Sequence, residues 1–171
     1  GTTLLADLLG AHSQILAVPE SQFVTDLIRV AQWPEGKVGV EKARMVLEAS
    51  KRYRLWGVGS PLQHLSGSES VLLSRVITDL VAGYAQLHDR HSIRWWVYHT
   101  PSNLRHGVTL EWLFESARFI HLVRDPRAVA ASLMRVDWGA NSAISAAHYW
   151  LESVSFGLAA ESNMAAKVMR V

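Results

Sequence analysis

The chain has no cysteine, so no disulfide framework staples it and no thiolate metal site is available. No apolar run approaches the ~18 residues that a membrane-spanning helix needs, and no signal peptide is visible. Lys and Arg exceed Asp and Glu by only two, a net charge of +2. No polybasic run occurs and aromatic residues do not interleave with the cations, so nothing argues for nucleic-acid binding. Repeats, low-complexity tracts and linkers are lacking as well. What remains is half apolar and 19% charged, a composition that excludes a disordered chain. At 171 residues it is expected to form a single domain, Gly1–Val171. Such a domain buries roughly two-thirds of the surface its unfolded chain exposes.

Helical and extended patterns alternate. Helices are predicted over Thr2–Gly10, Gln22–Ala31, Val40–Arg54, Glu69–Leu87, Leu110–Phe114, Arg127–Arg135 and Ser142–Glu161. Apolar residues at 72, 73, 76, 77, 80 and 84 make the fourth of these amphipathic. Extended segments are predicted at Ile15–Val18, Trp95–Tyr98, Arg118–Val123 and Ala166–Val171. Strands separated by helices imply a three-layer α/β fold, a parallel sheet with flanking helices.

The most informative stretch runs from Phe119 to Ser132. Phe119-Ile120-His121-Leu122-Val123 reads as a buried parallel strand. Asp125 suits a helix N-cap and Pro126 the first helical position. Arg124 therefore sits at the carboxyl end of a strand, the edge where open α/β sheets bind ligands. Ser132 lies two turns into the following helix. A guanidinium and a hydroxyl so placed suit a phosphate; a strand-end salt bridge is the plainer alternative. Gly1-Thr2-Thr3, opening an apolar helix, is a second anion cradle by the same logic of free N–H groups and helix dipole, or simply a cap.

In this order the motifs resemble the sulfotransferase family, its Golgi-type and bacterial branch rather than the cytosolic one. "GTTLLADLLGAHSQILAVPESQF" is similar to the family's 5′-phosphosulfate loop, helix and Pro-Glu-Ser segment. "ARFIHLVRDPRAVAASLMR" is similar to its 3′-phosphate strand and helix. "HTPSN" is similar to its Lys-Thr-Pro segment, with His99 in place of Lys. The resemblance implies a P-loop NTPase-like fold and 3′-phosphoadenosine 5′-phosphosulfate as donor, without a metal. It implies a small-molecule, carbohydrate or peptide acceptor bearing a hydroxyl or amine. Gly1, Thr2 and Thr3 would hold the 5′-phosphosulfate, and Arg124 and Ser132 the 3′-phosphate. The family's cation just before the loop would lie upstream of Gly1, and its C-terminal segment beyond Val171, so the segment is expected to be incomplete at both ends. Lacking the strand before the loop, it is expected to expose apolar surface. Missing cysteine favours a bacterial cytoplasm; the Golgi lumen is the alternative if an anchor precedes the segment.

Sulfuryl transfer needs a held donor, neutralised charge and a base for the acceptor's proton. Glu20 matches the general base of the protein-tyrosine branch; its alternative role is a carboxylate complementing the next helix. His99 ends a predicted strand and either accepts a proton, replaces the Lys charge, or is a strand-end His satisfied by backbone. His12, His88, His91 and His148 are expected to be structural or solvated, His121 a satisfied core histidine, and Trp150 a core residue, with a place facing the acceptor as its alternative. Arg127 is a weaker candidate for the 3′-phosphate, because on a helix it is expected to point away from Arg124; a solvated side chain is its alternative. Asn103 and Arg105 are placed on the acceptor side. Two rival readings stand: a P-loop kinase or NTPase, which would show magnesium dependence, and a non-catalytic binding protein of sulfotransferase-like fold.

Overall fold

Helix α1 spans Thr2–Gly10, where the apolar stretch predicts it. The computed structural model describes residues 1–136 and 139–171, and these divide into two compact units, Gly1–Asn103 and Leu104–Val171. The first unit is built on a parallel pair, β1 (Ile15–Ala17) and β4 (Trp95–Val97), with Ile15 opposite Trp95 and Ala17 opposite Val97. Helix α1 packs against both strands. A side chain at Gly10 would put its Cβ 2.7 Å from Ala17 Cβ, so the missing side chain is what lets helix and strand meet.

Helix α2 (Gln22–Val30) buries Phe23, Val24, Leu27 and Ile28, a stripe at i, i+1, i+4 and i+5. The helix predicted over Val40–Arg54 is two helices, α3 (Val40–Ala49) and α4 (Lys51–Trp56). Ser50 adopts extended backbone, and its hydroxyl accepts from the Tyr53 N–H at 3.2 Å. A serine there restarts the helix as an N-cap instead of continuing it. Gly57, at φ 68°, ends α4 in the left-handed conformation that suits glycine.

The helix predicted from Glu69 starts later. Ser70–Leu72 is strand β3, antiparallel to β2 (Lys37–Gly39), and α5 follows over Leu73–Leu87. Pairing with a distant segment overrides local periodicity here. In the core of this unit, Phe23 meets Trp56 and Tyr53 edge-on, with ring centroids 5.3 and 5.8 Å apart.

The second unit contains α6 (Gly107–Leu113), β5 (Phe119–His121), α7 (Pro126–Leu133), α8 (Ala143–Asn163) and β6 (Val168–Arg170). β5 and β6 pair in parallel, Phe119 opposite Val168 and His121 opposite Arg170. Helix α8 starts with a capping box in which Ser142 and Ser145 serve each other's backbone N–H groups. The predicted α/β class with parallel pairing is therefore present as short parallel ladders flanked by helices, one in each unit. The antiparallel β2–β3 pair was not predicted, because Lys37-Val38-Gly39 is too short to show a period.

Among the described residues of this unit, the buried hydrophobics are Leu110, Ala146 and Ala160. Ile144, Leu151 and Leu158, seven residues apart on α8, are exposed. The buried His121 ring donates from Nδ1 to Glu161 Oε1 at 2.6 Å, and Arg170 grips the same carboxylate. These bonds, Arg170 first and then His121, hold the Glu161 carboxyl down at about 2, from an ordinary 4.5. Gly157 makes the space: a Cβ there would overlap the His121 imidazole.

Candidate functional site

The turn after β5 forms as the sequence predicts. The Asp125 carboxylate caps α7, accepting from the Arg127 N–H at 2.8 Å, and Pro126 begins the helix. The Arg127 guanidinium folds back on the same carboxylate at 2.7 Å. That guanidinium, with the Arg127 N–H, lowers the Asp125 carboxyl to about 2. Arg127 is thus spent on the cap.

Arg124 and Ser132 line one pocket of about 480 Å³ with Ala128, Ala131, Arg135 and Val136. Residues 128, 132 and 135 recur at i+4 and i+3, so they share a face of α7 and the turn after it. Arg135 was not singled out from the sequence; the signal was its spacing of three from Ser132. Among the described arginines, only Arg94, Arg124 and Arg135 keep a guanidinium without a protein partner. Two of those three line this pocket. Trp150, expected in the core, is half-buried and instead donates its indole N–H to the Arg124 carbonyl at 2.9 Å.

In the first unit, Gly1 caps α1 with no side chain on the first-turn N–H groups, and Gly1, Thr2 and Thr3 are exposed. The in-register ends of β1 and β4 send two segments off the same edge. Pro19-Glu20-Ser21 follows one strand and His99-Thr100-Pro101 follows the other. They are clamped together: the Ser21 N–H donates to Thr100 Oγ1 at 2.7 Å, and the two hydroxyls lie 3.2 Å apart. Thr25 and Ser102 hydroxyls add a contact at 3.0 Å. Glu20 and His99 each immediately precede a member of this clamp, so one buried hydrogen-bonded joint carries both.

Glu20 Oε2 pairs with Arg52 of α4 at 2.8 Å, and its carbonyl accepts from the Trp56 indole at 3.5 Å. It is tied to α4 rather than set in the first turn of α2, which holds no acidic residue. His99 Nδ1 is buried without a partner among the described residues, so backbone does not satisfy that nitrogen. The Tyr98 hydroxyl and both polar atoms of the Asn103 side chain are buried and unpartnered too, and burial pushes the Tyr98 hydroxyl's pKa up. Buried polar atoms are almost always paired in folded proteins; here the orphans fall within residues 98–103, at the end of β4.

The remaining histidines do other work. His12 Nδ1 accepts from the Gln14 N–H at 3.1 Å, His88 packs on Tyr84 with centroids 4.3 Å apart, and His91 and His148 are exposed. Arg105 pairs with Glu152 at 2.8 Å. Among the described residues, no three His, Asp or Glu side chains gather as a metal site, and no helix is long and apolar enough to cross a membrane.

A search among curated proteins finds no match. Among solved structures, the "Sulfotransferase Domain from the Curacin Biosynthetic Pathway" is similar in fold, with a TM-score of 0.58 and 19% identity. The alignment covers 100% of this chain and 62% of that one, so the chain spans less than two thirds of that domain's length. The sequence profile described as the sulfotransferase family matches residues 1–171. With that match running the length of the chain, the protein belongs to the sulfotransferase family.

Proposed function

We propose that the protein moves a sulfuryl group from 3′-phosphoadenosine 5′-phosphosulfate to a hydroxyl or amine of a small-molecule, carbohydrate or peptide acceptor. The observation that carries this reading is the pocket beside α7. It presents two guanidiniums that no group among the described residues neutralises, Arg124 and Arg135, together with the Ser132 hydroxyl. Unpaired cations that share a pocket with a hydroxyl fit a dianionic phosphate. We assign this pocket to the 3′-phosphate. Gly1, Thr2 and Thr3 take the 5′-phosphosulfate through the uncapped N–H groups of α1. Family membership favours this donor over the nucleoside triphosphate of a P-loop kinase.

In the step itself, the acceptor oxygen or nitrogen forms a bond to sulfur. The bond from sulfur to the 5′-phosphate oxygen breaks, and adenosine 3′,5′-bisphosphate leaves. Glu20 takes the acceptor's proton, with Arg52 fixing one carboxylate oxygen and leaving the other to face the acceptor. His99 stands where the branch has Lys and donates a hydrogen bond to the transferring group. Asn103 and Tyr98, with unpartnered polar atoms, lie on the acceptor side.

The test is release of adenosine 3′,5′-bisphosphate from the donor, followed by chromatography over a panel of hydroxyl and amine acceptors. Glu20→Gln keeps shape but not basicity, and turnover is expected to fall by roughly 10²–10⁴ with donor affinity little changed. His99→Lys is expected to be tolerated. The inverse pattern makes His99 the base, since an ammonium cannot accept a proton. No acceptor-dependent release in any arm favours the non-catalytic reading.

A further inference from the structure

Among the described residues the Arg124 side chain has no partner, so what the fold presets is the backbone that joins Arg124 to the helix carrying Ser132. Main-chain bonds hold that backbone on both sides but not, among the described residues, at the Arg124 carbonyl. Upstream, the Val123 N–H donates to the Val171 carbonyl at 2.9 Å, just beyond the β5–β6 ladder. Downstream, the Asp125 carbonyl accepts from the Val129 N–H at 3.1 Å, the first bond of α7. Between them the peptide linking Arg124 to Asp125 lies outside both strand and helix. Among the described residues, its oxygen has one partner, the indole N–H of Trp150 at 2.9 Å. Trp150 sits near the middle of α8, a helix fixed at its start by the Ser142–Ser145 capping box. α8 also packs along α7, the helix that carries Ser132.

We infer that Trp150 is the positioning residue of the anion pocket: its indole N–H locks the Arg124–Asp125 peptide and so fixes how α7, with Ser132, is set against the strand end that carries Arg124. The inference rests on the 3′-phosphate assignment above and adds the residue that presets it. A peptide with a free carbonyl rotates at small cost between the strand and helix that flank it. Each alternative orientation changes the direction in which the chain enters α7, and so the placement of Ser132 against Arg124. Binding then bears the cost of ordering what Trp150 orders beforehand. A single neutral hydrogen bond of this kind corresponds to a several-fold change in affinity.

The experiment is calorimetric titration of the full-length protein with adenosine 3′,5′-bisphosphate and with adenosine 5′-phosphate, unsubstituted and as Trp150→Phe. Phenylalanine keeps most of the apolar volume and removes only the donor. The expected result is an affinity for the bisphosphate lower by roughly three- to tenfold, with the monophosphate unaffected. An unchanged ratio of the two affinities in Trp150→Phe, or an equal loss for both nucleotides, overturns the positioning role. Equal binding of both nucleotides by the unsubstituted protein is a different outcome: it removes the 3′-phosphate assignment, and this inference with it. Should Trp150→Phe fail to fold, the indole N–H resonance of Trp150 in the unsubstituted protein decides. It is expected to move on adding the bisphosphate and to stay in place with the monophosphate; indifference to both overturns the inference.

Discussion

The two units of the chain are stabilised by different physics. Among the described residues, nearly every buried hydrophobic belongs to Gly1–Asn103, where Phe23, Trp56, Leu27, Leu47, Leu73, Ile77 and Leu80 are all but inaccessible. Leu104–Val171 buries little beyond Leu110, Ala146 and Ala160. Charged contacts take over there: Arg105 with Glu152, Lys167 with Glu111, and His121 and Arg170 with Glu161. Both carboxylates held down at about 2, Asp125 and Glu161, are in this second unit. An apolar core resists pH and salt, whereas an ion-paired scaffold responds to both. The contrast extends to function. The first unit offers unpartnered buried polar groups and a carboxylate beside one clamp, and the second offers cations that no described residue neutralises.

The largest break in this contrast is a cavity in the first core. Phe23→Ala is expected to cost about 3–5 kcal/mol, read as a shift of the urea midpoint. Gly157→Ala attacks the second unit by overpacking against the His121 ring, at a cost of about 1–3 kcal/mol. Hydrogen exchange should localise that loss to β5, β6 and α8. Were Gly157→Ala as costly as Phe23→Ala, the second unit would depend on tight packing to the same degree and the contrast would fail.

The pH dependence sharpens the comparison. The Glu161 carboxyl lies below its unfolded value, so its stabilisation is complete above about 4.5 and drains away as pH falls toward about 2. Acid over that range should open amides of the second unit before those of the first. Glu161→Gln should flatten the dependence while lowering stability near neutrality. Loss of the first unit's protection at the same pH would contradict the assignment. The smallest effect belongs to the half-exposed Arg105–Glu152 pair, where Glu152→Ala should change stability by no more than about 0.5–1 kcal/mol.

Legibility followed the same divide between local and distant causes. Asp125-Pro126 announces a helix start because cap and first-turn preferences are local, and the cap formed as read. Gly1 to Gly10, Ile15 to Ala17 and the strand before Arg124 were legible for the same reason. Ser50 was passed over inside an apolar-periodic stretch, although a mid-helix serine is itself a cap signal. Ser70–Leu72 was unreadable alone, because its strand exists only through Lys37–Gly39. In the candidate site, Arg124 and Ser132 were singled out by motif, and both line one pocket. Arg135 was missed although its spacing of three from Ser132 set it on the same face; its lack of a partner among the described residues shows only in the folded chain. The clamp between Ser21 and Thr100 joins residues 79 apart in sequence, and no local pattern encodes it. Trp150 was read as core because an indole on an apolar helix usually is, and its target carbonyl lies 26 residues away.

The central claim is that the pocket of Arg124, Ser132 and Arg135 reads a 3′-phosphate. The most direct measurement compares dissociation constants of adenosine 3′,5′-bisphosphate and adenosine 5′-phosphate for the unsubstituted protein and for Arg124→Ala. The account predicts a clear preference for the bisphosphate that Arg124→Ala reduces by roughly ten- to a hundredfold, about 1.5–3 kcal/mol for a charge-assisted contact. Equal affinity for the two nucleotides, or a preference that survives Arg124→Ala intact, would contradict it.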